Sequence, residues 1–245
     1  SLLADESVAA TSAGRQYVPH HAPLAKRVIF LFMKGGPSHM DTFDYKPQLQ
    51  KDDNKPLPFE KPRVQFAPTD KLLASPWKFK QYGESGIAVS ALFPHVAQCV
   101  DDLCIINSLH GTNPAHGGAC LKLHTGSDAF VRPSMGSWVT YGLGSENENL
   151  PAFIVLRDPE GYPGTGATLW QNGWLPAVYR GTEFNSQGSP VLNLAPHKQF
   201  PGGTRETDLE FLQKLNRQHQ QKYPQNSLLD ARIQNFEMAA RMQVA

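Results

Sequence analysis

The chain has 245 residues, a length that suits one large domain or two small ones. Its 23 Lys and Arg nearly balance its 22 Asp and Glu, so a net charge of +1 provides no broad field for nucleic acid or anionic lipid. No apolar run approaches the roughly 20 residues of a membrane span. We therefore predict a globular protein without nucleic-acid binding or a membrane span, whose chemistry comes from a local site.

The two ends of the chain predict truncation. Residues 1–25 are polar and rich in small residues, have no periodicity, and are typical of a linker. The chain starts at Ser1 without a Met, and the helical pattern of residues 227–245 ends without Gly, Pro or a capping signal. We expect residues 26–245 to be the N-terminal part of a single domain that is truncated at its C-terminus.

Three apolar segments of strand length predict a buried sheet. Residues 27–33 and 103–106 are apolar on both faces, as central parallel strands are, and residues 151–156 form the third segment. Helical patterns lie between and after them, at residues 89–100, 117–124, 135–141, 207–222 and 227–245. Pro94 is expected in the first turn of the earliest helix, and Thr207 opens a capping box. This alternation predicts an α/β fold with a mostly parallel sheet and helices on both faces.

A candidate metal site follows the first predicted strand, in residues 35–41. Ligands bind at the carboxyl ends of strands in open α/β sheets, and glycines let the backbone approach a ligand closely. The imidazole of His39 and the carboxylate of Asp41 are suitable ligands for a divalent metal. The alternative is a tight loop in which Asp41 caps a helix and His39 is polar surface.

A second cluster places three histidines, His110, His116 and His124, within fifteen residues beside a predicted helix N-terminus. Such a terminus has unpaired N–H groups that suit an anion, and histidine can serve as ligand, base or nucleophile. The alternative is that His110 and His124 satisfy backbone groups while the neighbouring glycines only shape the turn. The residues themselves leave both interpretations open.

Two further groups have functional and structural interpretations. Arg132 precedes a predicted helix and could clamp an oxyanion through two hydrogen bonds, or be an exposed residue beside the N-cap Ser134. Trp170, Trp174 and Tyr179 could line a sugar platform through ring stacking, or pack within loops. The three cysteines are predicted to lie in the core.

Several segments together resemble the 1501 family of domains of unknown function, and the resemblance covers residues 26–245. The segments are residues 27–33, 35–44, 113–126, 132–144, 149–153 and 231–233. The family is abundant in planctomycete-type bacteria, often begins with a twin-arginine export signal, and is often called sulfatase-like. The resemblance therefore implies an exported, periplasmic or extracellular protein of the alkaline-phosphatase-like superfamily, with residues 1–6 as the end of the signal.

The resemblance also implies roles for particular residues. Asp41 resembles the first metal-ligand aspartate of the superfamily, with His39 beside it, and the metal would be zinc, calcium or magnesium. Sulfatases have their nucleophile nine residues before a Thr-Gly pair, and that position is occupied here by His116. Histidine cannot become formylglycine, so the usual sulfatase route is closed. Asn113 and Arg132 would hold the anion.

The leading hypothesis is a metal-dependent hydrolase of phosphate or sulfate esters, acting on a small-molecule or polysaccharide substrate. Because the remaining superfamily ligands belong to the C-terminal half of that fold, we expect this chain alone to be inactive. One alternative is a non-catalytic exported binding or surface-assembly protein on the same fold. Another is a carbohydrate-binding module built on the aromatic residues 170–179.

Overall fold

A computed structural model describes residues 25–60, 70–147, 149–191, 204–224 and 226–242, with the side chains of residues 204–206 excepted. The predicted linker and signal remnant lies outside the described residues, apart from residue 25. The described chain forms two compact units. Unit 1 contains residues 25–31, 132–162 and those from 170 onward, and unit 2 contains residues 32–131 and 163–169.

Unit 2 consists of short helices, one hairpin and a longer helix. In chain order its elements are α1 (His39–Thr42), α2 (Pro47–Lys51), β1 (Phe79–Tyr82), β2 (Ile87–Ser90), a 3-10 helix (Val96–Asp102) and α3 (His116–Thr125). β1 and β2 pair antiparallel, with Phe79 opposite Ser90 and Tyr82 opposite Ile87. A further 3-10 helix spans Gly166–Trp170, and its last residue belongs to unit 1.

The core of unit 2 forms where the hairpin meets the 3-10 helix. Val89, Ala97 and Val100 are buried there, and partly buried apolar side chains pack around them, namely Phe43, Tyr82, Ile87 and Phe93. Burying a valine side chain contributes about 1.5–3 kcal/mol. The hairpin turn is held by Asp101, whose carboxylate accepts the N–H groups of Glu84 at 3.0 Å and Ser85 at 2.8 Å.

Unit 1 contains three helices and a two-stranded parallel sheet. Its elements are α4 (Met135–Leu143), β3 (Ile154–Leu156), a 3-10 helix (Ala177–Tyr179), β4 (Thr182–Phe184), α5 (Thr204–Lys222) and α6 (Ser227–Met242). β3 and β4 run parallel, with Ile154 opposite Thr182 and Leu156 opposite Phe184. No helix among the described residues is long and apolar enough to cross a membrane.

Mixed α/β structure is confirmed, and so are several predicted helices. α3 covers the predicted residues 117–124 and ends at Gly126, a left-handed residue whose N–H donates to the Lys122 carbonyl at 2.8 Å. α4 begins after Ser134, whose hydroxyl accepts the N–H of Ser137, as an N-cap does. α5 ends at Lys222 as predicted, and α6 covers residues 227–242 of the last predicted helix, whose residues 243–245 lie outside the described residues.

Two of the three predicted strands are wrong. Residues 27–33 and 103–106 form no strand, and Ile29 and Leu31 are 81% and 86% exposed. A strand that is apolar on both faces needs paired neighbours and a packed layer on each side. No described strand pairs with either segment, and their residues are exposed except for Phe32, Leu103 and Ile105, which are half-buried. The third prediction is confirmed for Ile154–Leu156 alone, as β3.

Other predictions fail for local reasons. Residues 87–90 belong to β2, so the predicted helix 89–100 is reduced to the 3-10 helix Val96–Asp102. Pro94 disfavours helical backbone in the residue before it. α5 begins at Thr204, three residues before the predicted capping box at Thr207. Cys120 is buried as predicted, whereas Cys99 and Cys104 are exposed, and all three are free thiols.

Candidate functional site

The glycine loop after residue 33 lies against the first turns of α3. Gly35 and Gly36 have φ angles of +85° and +74°, and the Gly36 N–H donates to the Met33 carbonyl at 3.0 Å. A Cβ added to Gly35 would lie 4.0 Å from Cε1 of His116. The Gly35 N–H also hydrogen-bonds the thiol of Cys120. The first two sequence clusters therefore come together within unit 2.

His116 is the first residue of α3, and its imidazole is exposed. The first N–H groups of a helix have no partner within the helix, and the side chain at the N-cap, Ala115, has no acceptor for them. The helix dipole adds positive potential at the same end. The imidazole therefore lies beside the glycine loop, at a helix terminus that favours negative charge.

Asn113 shapes the chain just before α3. Its Oδ1 accepts the N–H of Ala115 at 2.9 Å, which closes a turn ahead of the helix. Its side-chain amide lies against Gly118, where a Cβ would collide with it. The position held by Gly118 therefore has to be a glycine for Asn113 to keep this place.

Asp41 lies in α1 with its carboxylate held by hydroxyl groups. Hydrogen bonds from Ser75 and then Ser38 lower the pKa of Asp41 below its ordinary value of 3.8, and the charge of His39 acts in the same direction. His39 is exposed, and its carbonyl accepts the N–H groups of Phe43 and Asp44. Asp41 is therefore an ionised carboxylate oriented by serines rather than the helix cap of the alternative interpretation.

The described residues provide too few ligands for the predicted metal site. Within the described part of the chain, no group of three or more His, Cys, Asp or Glu side chains is placed to hold a metal ion. Protein metal sites use at least three such ligands as a rule, and Asp41 and His39 provide two. These two residues alone do not fit a metal centre, and a bound metal ion would need further ligands.

The other two histidines of the second cluster contact backbone carbonyls. Nδ1 of His110 lies 3.2 Å from the Ser108 carbonyl, and Nδ1 of His124 lies 2.9 Å from the Cys120 carbonyl. The His124 ring also packs edge-on against Phe32, with centroids 4.6 Å apart. Burial lowers the pKa of His124. Their roles match the structural alternative that the sequence left open.

Arg132 belongs to unit 1, whereas the other four predicted site residues belong to unit 2. It is exposed and precedes the buried Pro133 and the N-cap Ser134. A Cβ on Gly173 would collide with Pro133, so this segment packs closely within unit 1. The local setting of Arg132 is that of the exposed arginine in the structural alternative.

Of the predicted platform residues, Trp174 and Tyr179 pack edge to face against other rings, whereas Trp170 is buried and stacks on Tyr162 at 6.1 Å and 19°. Trp174 meets Trp138 at 6.3 Å and 72°, and Tyr179 meets Tyr141 at 5.2 Å and 89°. A sugar platform requires a row of open ring faces, whereas Trp170 is buried and Trp174 and Tyr179 each form a T-shaped pair with a ring of α4. Trp138 and Tyr141 were not among the predicted site residues, although their three-residue spacing in α4 places them on one face.

The chain matches, over residues 25–245, the family described as Protein of unknown function (DUF1501). The chain belongs to this family. No curated protein and no solved structure gives a significant match. The resemblance predicted from the sequence is thereby confirmed at the level of the family. Because the family description names no activity, the function has to be inferred from the chemistry of the residues.

Sequence reasoning missed the residues that orient Asp41. Ser75 lies far along the chain, in a stretch without a motif, yet its hydroxyl has the largest effect on the Asp41 carboxyl. Ser38 lies within the first cluster, but the sequence indicated no role for it. A serine one turn before an aspartate is too common a pattern to have identified either contact.

Proposed function

We propose that the protein is an exported, sulfatase-like hydrolase of phosphate or sulfate esters. Its residues 26–245 would contribute to an alkaline-phosphatase-like domain with a mostly parallel sheet. The substrate would be a small-molecule or polysaccharide ester, met in the periplasm or outside the cell after twin-arginine export. The observation that supports the proposal is the placement of His116 at the N-terminus of α3, beside the Gly35 backbone.

His116 is the proposed nucleophile. A ring nitrogen would attack the phosphorus or sulfur atom, a bond to nitrogen would form, and the ester oxygen would leave and take a proton from water. Water would then cleave the bond to the imidazole and restore His116. The unpaired N–H groups and dipole at the start of α3 would stabilise the negative charge that develops on the transferred group.

Asp41 and Asn113 have supporting roles in this proposal. The carboxylate of Asp41 is ionised and fixed by Ser75 and Ser38, so it can orient a polar group or contribute one metal ligand. Asn113 fixes the first turn of α3 through Ala115 and thereby positions His116. A metal-dependent version of the reaction requires ligands in addition to Asp41 and His39.

A non-catalytic binding or surface-assembly protein is the second candidate. It is favoured by the way in which polar groups of the site are already engaged. Asn113 accepts the Ala115 N–H, and the Asp41 carboxylate is held by two serine hydroxyls. Groups that satisfy neighbours in this way suit a structural role as well as a catalytic one.

The test measures hydrolysis of 4-nitrophenyl phosphate and 4-nitrophenyl sulfate by the full-length protein. Removing a catalytic nucleophile or base costs on the order of a hundredfold or more in rate. We expect His116→Ala to lose hydrolysis to this extent. His110→Ala is the matched control, because His110 is exposed and its ring hydrogen-bonds only the Ser108 carbonyl within the described part of the chain.

Metal content, measured by elemental analysis on the same samples, distinguishes a metal-dependent hydrolase from a metal-independent one. Stoichiometric metal and hydrolysis that both fall in Asp41→Ala and His116→Ala would assign both side chains to a metal-dependent hydrolase. Hydrolysis without metal would leave His116 as the nucleophile. A folded protein with neither metal nor hydrolysis would contradict the hydrolase proposal and favour the binding protein.

A further inference from the structure

A small cleft opens in unit 1 at the carboxyl ends of the two parallel strands. β3 ends at Leu156 and β4 at Phe184, which lie opposite each other in the sheet, and the residues that follow form the cleft walls. Its volume is about 170 Å³, and it is lined by Arg157, Pro159, Phe184, Asn185, Ser186 and Gln187. In parallel sheets this end is where ligands bind.

The guanidinium of Arg157 is held in place from several sides. Its Nε lies 3.6 Å from the Glu183 carboxylate, its Nη1 donates to the Asp158 carbonyl at 3.1 Å, and its Cζ lies 4.5 Å above the Tyr162 ring. Tyr162 in turn donates its hydroxyl proton to Glu183 at 3.0 Å and stacks on Trp170. An arginine restrained in this way loses little conformational entropy when it binds a ligand.

The donors of Arg157 are not saturated by these contacts. Its buried Nε lies 3.6 Å from the Glu183 carboxylate without a shorter hydrogen bond, and its Nη2 donates to no acceptor among the described residues. A ligand in the cleft does not reach the buried Nε, so an oxyanion would accept hydrogen bonds from the Nη groups of the guanidinium. The Glu183 carboxylate already accepts the Tyr162 hydroxyl proton, so it does not accept hydrogen bonds from all the N–H groups of Arg157.

The cleft residues that follow β4 are polar, and the lining includes no carboxylate. The N–H of Asn185 donates to the Pro190 carbonyl at 2.9 Å, and its side-chain amide donates to the Ser189 carbonyl at 3.1 Å, so the loop closes on itself. Within the described chain no hydrogen bond engages the side chains of Ser186 and Gln187. The cleft therefore combines one fixed cation with a hydroxyl and an amide that are open to a ligand.

We infer that this cleft binds the oxyanion of a small polar ligand, a sulfate ester or carboxylate on a single sugar unit. The volume is below the roughly 300–1,000 Å³ of sites for drug-sized ligands, which favours one small unit. Arg157 would bind the oxyanion, while Ser186 and Gln187 would bind its hydroxyl groups. This inference concerns unit 1 alone and does not depend on the proposed hydrolase.

The test is an NMR titration of the protein that follows the side-chain Nε–H resonance of Arg157, assigned by its loss in Arg157→Lys. The probes are galactose 6-sulfate, glucuronate and, as the neutral control, galactose. We expect saturable shifts with the anionic sugars at about millimolar affinity, a value suited to one charged contact and a few hydrogen bonds. Tighter binding of galactose 6-sulfate would identify the ligand group as a sulfate ester, and tighter binding of glucuronate would identify it as a carboxylate.

Two charge variants localise the binding. Gln187→Glu puts a carboxylate in the cleft wall without breaking any described hydrogen bond, and it should weaken the anionic probes on the order of tenfold. Gln218→Glu makes the same charge change on an exposed position of α5, outside the cleft lining, and should leave affinity unchanged. The inference is overturned if no anionic probe gives a saturable shift, if galactose binds equally well, or if the two variants have equal effects.

Discussion

His124 illustrates how one side chain couples protonation to folding. Its ring is partly buried beside Phe32 and the Cys120 carbonyl, and burial lowers its pKa below the ordinary value of 6.5. The unfolded chain therefore binds a proton at this residue more readily than the folded chain does. The stability that this histidine contributes is complete above its unfolded pKa and is lost as the pH falls below it.

The His124→Leu variant tests this coupling. We expect the wild-type protein to lose more stability than the variant between about pH 7.5 and about pH 5.5, measured as the shift of its urea unfolding midpoint. His110→Leu is the control, since His110 is exposed and should leave the pH dependence of the wild type intact. Equal pH dependence in the wild type and His124→Leu would contradict the prediction.

Among single residues, the sequence predicted those whose role is local. The spacing of residues 117–124 predicted α3 because hydrogen bonding within a helix depends on near neighbours, and Gly126 ends it by its left-handed conformation. The Ser75 hydroxyl that orients Asp41 was not predicted, because that contact joins distant parts of the chain. Long-range contacts of this kind leave no periodic pattern in a sequence.

At the scale of elements, the first turn of α3 depends on the contact between Asn113 and Gly118. A Cβ at residue 118 would collide with the Asn113 side-chain amide and would lie 3.3 Å from the Asp128 carbonyl oxygen. Overpacking of this kind costs about 1–3 kcal/mol, whereas Ala favours a helix over Gly by about 1 kcal/mol. We expect Gly118→Ala to lower the free energy of unfolding by about 1 kcal/mol.

A double-mutant cycle separates the collision from the helix propensity. In an Asn113→Ala background the collision is removed, so Gly118→Ala should cost less or become stabilising, with a coupling of about 1 kcal/mol measured by urea unfolding. Gly117→Ala is the matched control, because its Cβ would meet only the Thr165 methyl group at 3.5 Å and the Gly164 carbonyl at 4.0 Å. Additive effects of the two substitutions would show that the contact is not formed.

The elements that the sequence failed to predict share a physical cause. Residues 27–33 and 103–106 have the composition of buried strands, yet a strand is stabilised by hydrogen bonds and packing from other segments. The described residues provide partners only for β1 with β2 and β3 with β4. Helices α3 and α4 were predicted well because their hydrogen bonds are internal.

At the scale of the whole molecule, the exposed apolar segment 27–33 distinguishes the observed structure from the predicted sheet. Ile29 and Leu31 are 81% and 86% exposed, and exposed substitutions change stability by no more than about 0.5 kcal/mol as a rule. We therefore expect Ile29→Lys and Leu31→Lys to leave the urea unfolding midpoint nearly unchanged. In a central strand, either lysine would be buried without a partner and would cost more than about 4 kcal/mol.

Val89→Lys supplies the reference for that comparison, since Val89 is fully buried in the core of unit 2 and its replacement should prevent folding of that core. The lysine variants at positions 29 and 31 should also bind less of a hydrophobic dye than the wild type, because each removes exposed apolar surface. If instead they unfold as readily as Val89→Lys, residues 27–33 are buried in the protein, and the sheet predicted from the sequence is favoured over the exposed arrangement.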